Sequence, residues 1–179
     1  MHRQDLLAKL ARHEPAGDSE SDALTKVTQF VQQQPSCFER SLAVGHVTGS
    51  AWLLNASRTR ALLTLHRKLG MWLQPGGHAD GESDVLGVAL REAREESGIA
   101  DVVPVSEAIF DVDVHRIPQR PGEPAHLHYD VRFLLCAPTT DRFTISEESL
   151  ELQWFSPDEL TTLDVDESVR RMCRKWISR

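Results

Sequence analysis

The chain has 179 residues, a net charge of −7 and a composition that is 40% hydrophobic and 26% charged, as expected for one globular domain that buries its own core. No apolar stretch is long enough to span a membrane, and the N-terminus carries charges where a secretory signal would be apolar, so we expect a cytoplasmic protein without membrane contact. The negative charge disfavours nucleic-acid binding. The three cysteines, Cys37, Cys136 and Cys173, lack a metal or redox spacing, so we expect buried or chemically idle thiols.

The first 40 residues are predicted to be helical. Apolar residues recur at helical spacing in DLLAKLAR and in DALTKVTQFVQQQ, with a loop between them and Pro35 closing the second helix. We interpret residues 1–40 as an N-terminal helical extension that does not carry the chemistry, and residues 41–179 as the main domain.

From Val44 onward, strand-forming residues dominate. Strands are predicted in HVTGSAWLLN, ALLTLHRKLGMWLQ, VVPVSEAIFDVDVHRI, AHLHYDVRFLLCA and LELQWF. Helices are predicted in VLGVALREAREES, in SPDELTTL with Ser156 as N-cap, and in DESVRRMCRKWISR. Strands with helices between and after them indicate an α/β layered sandwich with a mixed sheet.

Three glutamates, Glu92, Glu95 and Glu96, follow one another within a single turn of the helix VLGVALREAREES. Like charges at this spacing destabilise a helix. A solvated face or a basic partner is one explanation. A divalent cation is another, because clustered carboxylates and backbone carbonyls suit Mg²⁺, which is usually shared with substrate phosphates.

The residues on either side of the helix favour the cation. Pro75, Gly76 and Gly77 are expected to form a tight turn whose backbone approaches another group closely, and Gly98 fits the position just after a helix.

The segment GHADGESDVLGVALREAREESGI resembles the Nudix box, G-x5-E-x7-R-E-U-x-E-E-x-G-U, where U is a bulky aliphatic residue. The residues that match in register are Gly77, Arg91, Glu92, Glu95, Glu96, Gly98 and Ile99. The resemblance implies an α/β/α sandwich that hydrolyses a nucleoside diphosphate linked to another moiety. It also implies that Glu92, Glu95, Glu96 and the carbonyl of Gly76 bind Mg²⁺ or Mn²⁺, that one glutamate activates water, and that Arg91 orients a glutamate.

Two positions depart from the box. Ala93 occupies the bulky position, which we interpret as closer packing. Ser83 occupies the position of the first Glu, and we expect it to be the N-cap of the helix, with Glu82 as the supporting carboxylate.

Further candidates lie outside the box. His126, His128 and Asp130 alternate along one strand and share a face, where they either contact substrate or metal or form a solvated strand face. Arg67 and Lys68 either bind phosphate or belong to a surface turn. A further acidic ligand is sought in SEESLE, which offers Glu147, Glu148 and Glu151.

Three functions follow from the resemblance. The first is a Mg²⁺-dependent hydrolase of a small nucleotide-type substrate, with a homodimer left open. The second is a non-catalytic nucleotide-sensing module, although such a module would be expected to lose box glutamates. The third, an isopentenyl diphosphate isomerase, lacks support because no matching cysteine motif is present.

Overall fold

The protein is described by a computed structural model, which covers residues 2–67, 69–120, 122, 124–146 and 149–179. The described residues form five helices and seven strands. The helices are α1 (Gln4–Leu10), α2 (Asp18–Gln33), α3 (Val85–Ser97), α4 (Pro157–Thr162) and α5 (Glu167–Ile177). The strands are β1 (Gly45–Leu54), β2 (Ala61–His66), β3 (Trp72–Leu73), β4 (Gly76–His78), β5 (Val103–Ile117), β6 (His126–Cys136) and β7 (Ser149–Phe155).

The strands form one mixed sheet in the order β3-β2-β1-β6-β5, with β4 paired to β1 and β7 paired to β2. The β1–β6 pair is parallel, and the other pairs are antiparallel. The first residues of β1 and β6 therefore lie side by side, since Gly45 is opposite Leu127 and His46 is opposite His128.

Each face of the sheet is covered by helices. On one face, α1, α2 and α3 pack over apolar residues such as Val47, Ala51 and Phe133. On the other face, α4 and α5 pack over Trp52 and Leu134. This arrangement confirms the expected α/β/α sandwich. No helix in the described ranges is long and apolar enough to cross a bilayer.

The main differences from the expected elements lie just before the box. The segment expected as one strand, residues 61–74, contains two strands, and the segment expected as a tight turn includes β4. The prediction of a tight turn was wrong because Gly76–His78 pair with Thr48–Ser50 of β1. This pairing gives the backbone groups of the segment hydrogen-bond partners in the sheet. The close approach holds, because a Cβ on Gly76 would lie 2.1 Å from Oγ of Ser50.

The N-terminal helices share the core of the main domain. Leu6 and Leu10 of α1 and Val27 and Val31 of α2 are fully buried in the same apolar cluster as the buried side of α3. The cysteines are also buried and unpaired, as expected. We retain the division of the chain at residue 40 as a proposal about its organisation.

Candidate active site

The catalytic-helix candidate, α3, spans the predicted segment VLGVALREAREES, but its N-cap lies one residue later than expected. Asp84, not Ser83, is its N-cap, and a carboxylate oxygen of Asp84 accepts a hydrogen bond from the N–H of Gly87 at 3.1 Å. A carboxylate at the positive end of the helix dipole is a better acceptor than a hydroxyl, which explains the shift. Glu82 faces this cap, since its Oε1 accepts the N–H of Asp84 at 3.0 Å.

The C-terminal end of α3 behaves as the sequence predicts. Gly98 has φ +69°, in the left-handed region, and its N–H donates to the carbonyl of Arg94 at 2.8 Å. Ala93, at the bulky position of the box, is fully buried. Its small size lets α3 pack closely on the sheet.

Strand β4 brings two glutamates of α3 against its backbone. The N–H of Gly76 donates to Oε1 of Glu96 at 2.7 Å. On the next residue, Gly77, a Cβ would lie 2.5 Å from the carboxylate carbon of Glu92. Glycine at position 77 therefore makes room for a carboxylate that any larger residue would displace.

Arg91 binds the same group of side chains. Its Nη1 lies 2.6 Å from Oε1 of Glu92 and 3.6 Å from Oε2 of Glu95. Its Nη2 donates to the carbonyl of His78 at 3.0 Å. One guanidinium thus connects two glutamates of α3 to β4 and partly offsets their mutual repulsion.

The three glutamates differ in exposure. The side chain of Glu92 is 15% exposed, whereas that of Glu95 is 62% exposed. Glu92 is held against the backbone of β4, whereas Glu95 is open to solvent. Such a pair suits a site where a bound cation also contacts a ligand that arrives from solvent.

A second polar group lies on the sheet face opposite α3. Asp130, which is almost fully buried, accepts hydrogen bonds from Thr48, Ser50 and Arg132 at 2.7–2.8 Å. Gln74 donates to the same carboxylate at 3.4 Å. Asp130 was expected to share a face with His128, and the structure shows that this end of the face is a packed hydrogen-bond network.

Histidines continue this face toward the start of β1. His46, His78 and His128 each offer one ring nitrogen within 4.8 Å of the others, and His126 lies beside them. Burial, together with the charges of neighbouring histidines, lowers the pKa of His46 to about 4 and that of His128 far below its usual range. The rings of His46 and His128 are therefore neutral at physiological pH. His46 had no distinctive sequence signal, because it is a single histidine in a strand.

The remaining sequence candidates lie elsewhere. Arg67 follows β2, and its Nη2 donates to the carbonyl of Ser149 at 3.1 Å. Glu151 is exposed on β7. Lys68, Glu147 and Glu148 lie outside the described residues.

One protein-family model covers most of the chain. The model of the NUDIX domain matches residues 45–176. The chain belongs to the Nudix family. As a member of this family, it is a hydrolase that acts on phosphoric anhydride bonds. Comparison with curated protein sequences gives no match.

Solved structures share this Nudix fold at low sequence identity. A Caenorhabditis elegans Ap4A hydrolase in a binary complex is 16% identical, with a TM-score of 0.59 over 74% of this chain and 95% of its own. The Escherichia coli dihydroneopterin triphosphate pyrophosphohydrolase is 16% identical, with a TM-score of 0.55 over 74% and 96%. A MutT protein from Methanosarcina mazei is 18% identical, with a TM-score of 0.55 over 76% and 96%. About a quarter of this chain lies outside each of these matches.

Proposed function

We propose that this protein is a Mg²⁺- or Mn²⁺-dependent hydrolase that cleaves a diphosphate linkage in a nucleoside diphosphate linked to another moiety. The observation that carries the proposal is the convergence of Glu92 and Glu96 on the glycine backbone of β4. Two structural relatives, an Ap4A hydrolase and a dihydroneopterin triphosphate pyrophosphohydrolase, support a small phosphorylated substrate.

Carboxylate and carbonyl oxygens, which are the donors at this place, are the ligand types that a hard divalent cation prefers. Glu96 accepts the N–H of Gly76 through Oε1 at 2.7 Å, which fixes the position of its carboxylate beside β4. Glu92 occupies the space above Gly77. We assign Glu92, Glu95, Glu96 and the carbonyl of Gly76 as the ligands. When bound, the cation supplies electrostatic stabilisation of the charge on the phosphate oxygens.

The chain's own residues orient the reacting groups. Arg91 holds Glu92 through a charge-assisted contact at 2.6 Å and is itself anchored on the carbonyl of His78. This arrangement limits the rotamers of Glu92 before substrate arrives. Glu95, the most exposed of the three, is then accessible to water and substrate, and a carboxylate so placed accepts a proton from attacking water.

Two positive groups remain candidates for the substrate phosphates. Arg67 and Lys68 follow β2, and we retain both, with His128, as proposed substrate-binding residues. The net charge of −7 means that an anionic substrate needs local cations of this kind.

One experiment tests the proposed reaction. Nucleoside triphosphates, nucleotide sugars, dinucleoside polyphosphates and coenzymes are incubated with the full chain and Mg²⁺ or Mn²⁺, and release of phosphate or monophosphate is measured. We expect turnover of at least one class, and no turnover in excess chelator. Undiminished hydrolysis in chelator contradicts the metal role, and nucleotide binding without turnover identifies a sensing module instead.

A further inference from the structure

A cluster of three histidines lies on the opposite side of β4 from the glutamates. Along a strand, side chains alternate between the two faces. The Cβ position of Gly77 faces Glu92 of α3, so the side chain of His78, one residue on, lies on the other face. There it meets His46 and His128 with ring centroids 4.9 and 5.1 Å away.

The sheet register places these rings together. His46 of β1 and His128 of β6 are opposite each other in the parallel pair, and their ring centroids are 4.9 Å apart. His78 of β4 is opposite Thr48, the next residue on the same face of β1, and so lies diagonally from His46. Three different strands therefore supply the histidines, and their positions are fixed by backbone hydrogen bonds.

In the described part of the chain, the ring of His46 is buried without a hydrogen-bond partner. It is only 1% exposed, and neither of its ring nitrogens has a hydrogen-bond partner among the residues described. Burying a polar group without a partner costs free energy, and native proteins rarely leave such a group unsatisfied. A ligand held between the rings would satisfy it.

The hydrogen bonds of His126 prepare His128 as a ligand. Nδ1 of His126 lies 2.9 Å from the carbonyl of Pro124, so this nitrogen donates. In a neutral ring, Nε2 of His126 then accepts, and it lies 3.2 Å from Nε2 of His128. His128 therefore donates from Nε2 and keeps a lone pair on Nδ1. Histidines that bind metals are commonly oriented by such a contact through their second nitrogen.

We infer that His46, His78 and His128 form a second metal site, separate from the carboxylate site, that binds Zn²⁺. Neutral imidazoles suit zinc and other borderline transition metals, whereas Mg²⁺ requires oxygen ligands. Three histidines with a fourth position open to water or an anionic oxygen is a common zinc arrangement. Nitrogens on one tetrahedral zinc ion lie about 3.3 Å apart, so the present separations of up to 4.8 Å close by small side-chain rotations.

The alternative occupant of a histidine cluster is a phosphate bound by protonated rings. With ring centroids about 5 Å apart, protonation of all three would place like charges together with little water to screen them. His46 is additionally enclosed. The geometry therefore favours a cation bound by neutral rings.

The test is direct metal binding by the full chain, made without a histidine tag and stripped with chelator. Zn²⁺ is titrated by calorimetry, and Co²⁺ serves as a spectroscopic probe, because its visible absorption reports nitrogen ligands and low coordination number. We expect one Zn²⁺ per chain, bound in the presence of a large excess of Mg²⁺. Each of His46→Ala, His78→Ala and His128→Ala should weaken binding at least about 100-fold, and His126→Ala about 10-fold.

Two controls separate this site from other metal binding. His2→Ala removes an exposed histidine outside the cluster, and Glu96→Gln alters the carboxylate site; both should leave Zn²⁺ affinity within about twofold. Circular dichroism of each metal-free variant checks folding, and the partly exposed His78 provides a variant if His46→Ala fails to fold. Affinity unchanged in His78→Ala and His128→Ala, or lost in Glu96→Gln instead, overturns the inference while leaving the proposed hydrolase untouched.

Discussion

Glu96 is the glutamate whose role can be tested with the least disturbance of structure. Glutamine at position 96 keeps an oxygen that accepts the N–H of Gly76 but loses the negative charge. We expect Glu96→Gln to lower the turnover rate at least about 100-fold with unchanged folding, since loss of a metal ligand removes several kcal/mol of transition-state stabilisation. Steady-state kinetics on the substrate found by screening, with circular dichroism as a folding check, measures this.

The matched control is Glu107→Gln, which makes the same chemical change at an exposed position on β5. Its turnover should stay near that of the unmodified protein. Near-normal turnover in Glu96→Gln would mean that the glutamates of α3 are only a solvated face.

The start of α3 offers a second comparison between neighbouring residues. Asp84 accepts the N–H of Gly87, so Asp84→Ala should lower the free energy of unfolding by about 1 kcal/mol. Ser83→Ala, one residue earlier, should change it by much less, because Ser83 is not the cap. Urea unfolding of both variants measures the difference. Equal losses would return the capping role to Ser83.

Gly77 links the residue scale to the element scale, because it determines how closely α3 approaches β4. A Cβ at this position would lie 2.5 Å from the carboxylate carbon of Glu92, the end of a flexible side chain. Gly77→Ala should therefore displace Glu92 and reduce turnover about 10-fold or more, with the fold kept. Kinetics and thermal unfolding are measured together. Unreduced turnover would show that the position of Glu92 is not needed for catalysis.

Helices α2 and α5 meet β5 through a buried ion network whose centre is Glu20. Glu20 is 0% exposed and binds His13, the N–H of Ala16 and Lys175 at 2.6–2.7 Å. Burial alone would raise the pKa of Glu20, but these hydrogen bonds outweigh it and hold the pKa well below its ordinary value of 4.5. The ionised carboxylate therefore stabilises the fold above pH 4.5, and this contribution is lost as the pH falls below that value.

Glu20→Gln should consequently lower the free energy of unfolding at pH 7 by about 3 kcal/mol, because it breaks a buried pair. The difference in the free energy of unfolding between the two proteins should shrink between pH 4.5 and pH 3, where the ionised Glu20 of the unmodified protein contributes progressively less to stability. Urea unfolding across this range measures it, with the exposed Glu14→Gln as control. A deficit that is independent of pH would mean that shape, not charge, matters at position 20.

The elements of this fold differ in how far the sequence predicts them. The box glutamates lie in one continuous helix, so spacing alone predicts that Glu92, Glu95 and Glu96 share a face. The histidine cluster combines β1, β4 and β6, and only the register of the sheet brings His46 and His78 together. Local periodicity contains no information about that register, so the sequence indicated that His126 and His128 share a face but did not indicate that His46 and His78 join them.

At the scale of the whole molecule, the N-terminal helices matter for folding even if the chemistry lies elsewhere. Leu6, Leu10, Val27 and Val31 are fully buried in the cluster that also supports α3. Burying one such side chain contributes about 1.5–3 kcal/mol to the free energy of unfolding. The total free energy of unfolding of a domain is only about 5–15 kcal/mol. Deleting residues 1–40 should therefore abolish cooperative unfolding. Because the deletion variant is then unfolded, its loss of activity would not show that the catalytic residues lie in residues 1–40.

A cut chain separates folding from catalysis. A protease site inserted between the exposed residues Arg40 and Ser41 allows the segment 1–40 to fold in place and then be released from the covalent chain. We expect the cut protein to keep its helices associated, because their apolar contacts remain, and to retain metal-dependent turnover within about twofold. Size-exclusion chromatography shows whether the segment stays bound. Turnover lost while the segment remains bound would mean that the connection from α2 to β1 positions the active site. A second experiment adds a synthetic 1–40 peptide to the deletion variant. Turnover regained in that mixture would independently support a purely structural role of the segment.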